Sequence, residues 1–176
     1  MTMAIDDREG FAAFLLRLRG RGTAPKALVA AFEALAIEPG NRVLEIGTGS
    51  GYTAAVMSRL AARVVSVDRY KTLTEQAKQR FEALGISNVI VRQADGSNGL
   101  PNEGPFDRII AWAAFDSLPR FLLDQLSSGG VVIAPIGPEE GEQVLAKLTK
   151  VGSRFEREDI GLVRLQPVLR SVAAVI

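Results

Sequence analysis

The chain has 176 residues, 47% of them hydrophobic and 23% charged, with 21 Lys and Arg against 20 Asp and Glu. That size and apolar content suit one globular domain with a full core, and the near-balance of charge offers no electrostatic case for a nucleic-acid or membrane-surface partner. The absence of Cys and His excludes disulfides, thiolate nucleophiles, histidine general bases, Ser-His-Asp triads and histidine-ligated metal sites. No apolar run approaches the ~20 residues that span a bilayer. The first ten residues carry Asp6, Asp7 and Glu9, unlike a signal peptide, so a cytoplasmic location is expected.

Phe11, Phe14, Leu15 and Leu18 recur at helical spacing, and the basic, glycine-containing stretch from Arg17 to Thr23 reads as a loop. Pro25 suits the first turn of a second helix, whose apolar face is Leu28, Val29, Phe32, Leu35 and Ala36 and which Pro39-Gly40 stops. From there strands and helices alternate. Arg42–Ile46 predicts a strand and 52–61 a helix. Val64–Val67 predicts a strand ending in Asp68, with a helix over 73–84. Asn88–Val91 predicts a strand ending near Asp95, and 106–112 another, with a helix over 118–126. Gly129-Gly130 leads into the apolar strand Val131–Pro135. This alternation implies βαβ units in a parallel twisted sheet. After Gly137 the pattern changes to two strands, 143–150 and 155–165, joined through Gly152-Ser153, which suits an antiparallel pair at a sheet edge. The expected fold is therefore α/β, Rossmann-like and doubly wound, in one domain. Residues 1–38 supply N-terminal helices, 39–137 a cofactor-binding core and 138–176 C-terminal strands.

The chemistry is carried by three successive strand ends. Val43-Leu-Glu-Ile-Gly-Thr-Gly-Ser-Gly51 is an apolar strand that passes through an acid into a glycine-rich turn. Gly47, Gly49 and Gly51 carry no Cβ, so a ligand can approach the backbone closely. Asp68, some twenty residues on, is placed to accept both hydroxyls of a ribose, although a helix cap is the ordinary alternative. Asp95 is placed to accept from the exocyclic amine of an adenine, and Gly96 leaves room for the ring. An Asp-Gly turn explains the same pair. In a parallel sheet these ends lie along one rim.

The glycine spacing is G-x-G-x-G and not the dinucleotide G-x-G-x-x-G, and Glu45 would repel a pyrophosphate but attract a sulfonium with its amino-acid moiety. These features favour S-adenosylmethionine over a nicotinamide dinucleotide. Val43–Ala55, "VLEIGTGSGYTAA", resembles the first motif of the class I S-adenosylmethionine-dependent methyltransferases and is most similar to the protein-L-isoaspartate O-methyltransferase family. The resemblance continues through "VVSVDRY", "GISNVIVRQADGSNGLP" and the stretch from Gly104 to Gly137, and fades in "VRLQPVLR" at 163–170, where Gln166 stands in place of the family's valine. It implies cofactor contacts at Glu45, Gly47, Thr48, Gly49, Ser50, Gly51, Asp68, Arg69, Asp95 and Gly96. The product would be S-adenosylhomocysteine, and the partner a protein or peptide carrying isoaspartate.

The N-terminal stretch departs from the family's Gly-Gln-Thr-Ile-Ser-x-Pro loop. Matching Pro25 to the family's proline puts Thr23 at the position of the catalytic serine. A second register, on "FLLRLRGRGTAPKALVAAFEAL", makes Thr23 a loop residue or helix cap and leaves the substrate loop unmatched. Arg19 and Arg21 either steer an anionic acceptor or are solvated. Trp112 either walls the cofactor pocket or packs on a helix. An isoaspartyl carboxylate is already an anion, so methyl transfer to it needs proximity and alignment more than acid-base help. The competing functions are methylation of another substrate on the same fold, and cofactor binding without catalysis. A monomer or weak dimer is expected, with no nucleic-acid or membrane partner.

Overall fold

The structure is a computed structural model and describes residues 25–175. Seven strands form one sheet in the order β3-β2-β1-β4-β5-β6-β7. They are β1 (Arg42–Ile46), β2 (Arg63–Asp68), β3 (Val89–Gln93), β4 (Phe106–Ala111), β5 (Leu126–Ile136), β6 (Gln143–Val151) and β7 (Arg154–Val163). The first five run parallel, and β6 and β7 add antiparallel at one edge, as the alternation and its break after Gly137 predict. The helices are α1 (Pro25–Leu35), α2 (Tyr52–Met57), α3 (Lys71–Ala83) and α4 (Phe121–Gln125), with a 3₁₀ turn at Gly96–Asn98. Two helices are shorter than their apolar periodicity suggests. The expected 52–61 helix ends at Met57, and the expected 118–126 helix keeps five residues between Pro119 and the start of β5. Proline and the early pairing of Leu126 with Phe106 account for the second.

Alternate residues of the buried strands face two cores. Val43, Val64 and Ile110 point to the side covered by α1, α2 and α3, where Leu35, Met57, Ala77 and Phe81 pack. Leu44, Val65, Ile109 and Val132 point to the other side, where Phe106, Leu122 and Leu126 are fully enclosed. Burying each such side chain stabilises by roughly 1.5–3 kcal/mol. The outer strand β7 carries Arg154, Glu156, Arg157, Glu158 and Asp159, and its exposed charges blunt the free edge. No helix among the described residues is long and apolar enough to cross a membrane.

The position of the site follows from the strand order. The chain steps from β1 outward to β2 and β3, then returns to place β4 on the other side of β1. In open α/β sheets the crevice outside the carboxyl ends at such a reversal is where ligands bind. Ile46 and Ala111 close the two strands there, and the amide of Trp112 donates to the Ile46 carbonyl at 2.9 Å.

Candidate functional site

The glycine-rich loop leaves β1 at this reversal. The amides of Gly47 and Thr48 both donate to the carbonyl of Val67 on β2, at 2.8 and 3.1 Å, and the amide of Gly51 donates to the Thr48 carbonyl at 2.9 Å. Gly47, Gly49 and Gly51 all have positive φ, +100°, +52° and +82°, a region in which side chains are strained. Their surroundings differ. A Cβ on Gly51 would lie 2.9 Å from Cζ of Phe81 and 3.1 Å from Cβ of Ala77, so this glycine is required by packing of the loop on α3. A Cβ on Gly49 would meet no heavy atom within 4 Å, so this part of the loop faces open space. Ser50 is exposed, and its carbonyl accepts from Arg80 at 2.8 Å.

Asp68 ends β2 and is nearly buried. Its Oδ2 accepts the amide of Gly49 at 2.9 Å and its Oδ1 accepts the amide of Tyr70 at 3.0 Å. The side chain therefore ties the turn after β1 to the start of α3. Each oxygen keeps a second lone pair for a ligand. Beside it, the guanidinium of Arg69 lies over the Tyr70 ring, 5.1 Å from its centroid. The Arg69 Nε is buried and has no hydrogen-bond partner among the described residues.

Asp95 and Gly96 follow β3. The Asp95 Oδ1 accepts the Ser97 amide at 2.9 Å and so caps the 3₁₀ turn, which is the role its Asp-Gly sequence also suggests. Gly96 presses against the other two strand ends. A Cβ there would stand 2.7 Å from Cγ2 of Ile46 and 3.3 Å from Cγ2 of Val67. The loops after β1, β2 and β3 thus meet on one rim, joined by Gly49 to Asp68 and by Gly96 to Ile46 and Val67.

Glu45, read from the sequence as a cofactor contact, lies beneath the rim. It has no exposed surface, because it sits one step inside the end of β1, in register with Ser66 on β2 and Ile110 on β4. Its carboxylate accepts from Thr53 Oγ1, from Ser66 Oγ at 2.6 Å and from Trp112 Nε1 at 3.0 Å. Since the Ser66 hydroxyl donates to Glu45, the Thr48 hydroxyl, 2.6 Å away, donates to Ser66. A chain of hydrogen bonds then runs from the glycine loop into the carboxylate. Burial pushes the Glu45 carboxyl up to about 7. The bonds from Ser66, Thr53 and Trp112 oppose that rise, and the negative charge of Asp68 adds to it. Trp112 also packs against Phe32 of α1, ring centroids 6.1 Å apart, so the aromatic is a packing residue that holds Glu45.

Thr23, Arg19 and Arg21 lie outside the described residues. The sequence reading missed Ser66, for which a hydroxyl inside an otherwise apolar strand is the available signal; Thr53 and the C-terminal segment at this rim carry no local signal. That segment runs along three strand ends. It bridges Ala114 after β4 through Pro167, and Tyr70 after β2 through Ala173. Together with the loop from Ala114 to Phe121 it lines a cleft of about 410 Å³ that also touches Ser97 and Asn98.

Residues 18–172 match the family model of protein-L-isoaspartate(D-aspartate) O-methyltransferase. A protein-L-isoaspartate O-methyltransferase of Rhizobium meliloti is 50% identical over 80% of this chain and 69% of its own length. One of Azorhizobium caulinodans is 48% identical over 86% of this chain and 70% of its own length. A solved protein-L-isoaspartate O-methyltransferase superposes with a TM-score of 0.76 at 34% identity, covering 83% of this chain and 47% of that one. The chain thus spans about half the length of this solved relative. A Plasmodium falciparum structure assigned to a β-aspartate methyltransferase in complex with S-adenosyl-L-homocysteine shares the fold, with a TM-score of 0.71 and 24% identity over 86% of this chain and 78% of that one.

Proposed function

The chain belongs to the protein-L-isoaspartate O-methyltransferase family, and from that premise we propose that it binds S-adenosylmethionine at the rim of β1, β2 and β3 and methylates the carboxylate of isoaspartyl residues in damaged proteins. The observation that carries this reading is the junction of Gly49 with Asp68, a glycine backbone facing open space beside a carboxylate with lone pairs to spare. The donor set fits the cofactor. Gly47, Thr48, Gly49, Ser50 and Gly51 form the close-approach wall, Asp68 takes the ribose hydroxyls, and Arg69 brings an unpartnered donor to the same edge. Asp95 accepts from the adenine amine, and Gly96, where a Cβ would run into Ile46, lets the loop that carries Asp95 close onto the ends of β1 and β2. Glu45 acts from beneath, bracing the loop through Thr48, Ser66 and Thr53, and a cationic ligand above it would draw its carboxyl toward the ionised form.

S-adenosylmethionine supplies an electrophilic methyl group on a sulfonium. The protein's part is to exclude water and to hold the acceptor oxygen in line with that methyl. No general base is required, because the acceptor carboxylate is ionised at neutral pH. That matches a chain without histidine. Thr23 is the proposed hydroxyl that orients the acceptor. The test is methyl transfer to a peptide containing isoaspartate beside the same peptide containing aspartate. Transfer to the isoaspartyl peptide alone supports the reading. Binding of S-adenosylhomocysteine without transfer to either peptide overturns the substrate assignment and leaves the cofactor assignment standing.

A further inference from the structure

Asp95 is held from two directions. Its Oδ1 accepts the amide of Ser97, its near neighbour, and its Oδ2 accepts the amide of Ser171 at 2.7 Å from the far end of the chain. Ser171 has φ of +68°, a left-handed conformation that a non-glycine residue adopts at a cost of order 1 kcal/mol. The segment is pinned on both sides of this strained residue. Upstream, the Ala114 amide donates to the Gln166 carbonyl and the Val168 amide to the Ala114 carbonyl, both at 2.8 Å. Downstream, the Ala173 amide donates to the Arg69 carbonyl at 2.9 Å, and the Ala173 carbonyl accepts from the Lys71 amide at 3.0 Å and from Gln93 Nε2 at 3.1 Å. A strap thus ties the loop after β4 to the loops after β3 and β2, and the unusual turn at Ser171 aims one amide at one carboxylate oxygen.

Resting on the cofactor site proposed above, we infer that Ser171 is a positioning residue: its backbone N–H orients the Asp95 carboxylate for the adenine amine, so the C-terminal strap sets the affinity for the cofactor. Two amide donors, one on each oxygen, fix the plane of the carboxylate and leave one lone pair on each for a ligand. The side chain is only partly buried and would otherwise sample several rotamers. Burial pushes the Asp95 carboxyl upward, but the hydrogen bonds from Ser97 and Ser171 and the positive charge of Arg170 outweigh it and hold the group below the usual carboxylate range. Asp95 is therefore kept as an anion, the state that accepts from an amine.

The experiment is calorimetric titration of the full chain with S-adenosylhomocysteine, with thermal unfolding alongside. Ser171→Pro removes the donor and forbids the positive φ, and weakens binding about tenfold or more. Ser171→Gly keeps the donor, adopts the same φ freely, and stays within about twofold of the parent or binds better. In turnover, Ser171→Pro raises KM for S-adenosylmethionine and leaves KM for the isoaspartyl peptide unchanged, a split that simple loss of stability does not produce. If the proline variant does not fold, Ser171→Val decides at the same exposed position, since a β-branched residue is forced out of the left-handed region and carries the amide with it. Parent-like affinity in a folded proline or valine variant overturns the inference and leaves the cofactor site intact. A parent chain that does not bind S-adenosylhomocysteine overturns both.

Discussion

Gly49 and Asp68, nineteen residues apart, are joined by a 2.9 Å hydrogen bond from the backbone amide of one to the carboxylate of the other. The bond makes the glycine loop and the acid a single unit. The loop cannot shift without disturbing the carboxylate, and the carboxylate cannot rotate without releasing the loop. The same side chain holds the Tyr70 amide at the start of α3, so three elements converge on one residue.

Asp68→Ala therefore leaves two amides without their acceptor. We expect a stability loss of about 1–3 kcal/mol and a loss of affinity for S-adenosylhomocysteine of about tenfold or more. Urea unfolding and calorimetric titration measure the two effects separately. Unaltered affinity in a folded variant would show that Asp68 organises the loop without touching the ribose.

The buried Glu45 makes stability depend on pH with a definite sign. Its carboxyl is raised from 4.5 to about 7 in the folded chain, so the native state holds this proton more tightly than the unfolded state. The resulting stabilisation is complete below pH 4.5 and is lost as pH rises through about 7, on the order of 3 kcal/mol in all. Glu45→Gln has no proton to lose. The difference in unfolding free energy between parent and variant should drift across this window against the parent, and then level off. A constant difference on both sides of pH 7 would mean that the carboxylate is not desolvated.

Trp112→Phe keeps an aromatic ring against Phe32 but removes the indole donor to Glu45. The lost bond favours the charged form, so the Glu45 titration should move above its parent value of about 7. Carbon NMR of the glutamate carboxyls follows the midpoint directly. A midpoint at or below that of the parent would remove Trp112 from the group that sets this proton's affinity.

Two glycines of one loop should respond differently to the same change. Gly51→Ala places a Cβ against Phe81 and Ala77 at positive φ, which should cost about 2–4 kcal/mol of stability. Gly49→Ala bears only the left-handed strain of about 1–2 kcal/mol, because nothing lies within 4 Å of the new methyl. Its main effect should be on S-adenosylhomocysteine, whose path the methyl enters. Denaturant unfolding paired with ligand titration of both variants checks this, and stability costs in the reverse order would refute the assignment of their roles.

Sequence alone determined the run of strands and helices, the antiparallel edge after Gly137 and the meeting of three strand ends, because apolar periodicity, glycine turns and acids at strand termini are local patterns. Val43–Gly51, Asp68 and Asp95-Gly96 were all legible in this way. Tertiary structure alone decided that Glu45 lies beneath the rim, because its burial depends on β2 and β4 lying on either side and on Ser66, Thr53 and Trp112 converging from three separate segments. It alone brought Ser171 to Asp95, seventy-six residues away. Such partners are chosen by the packing of whole elements, and no spacing within a single strand or turn records them.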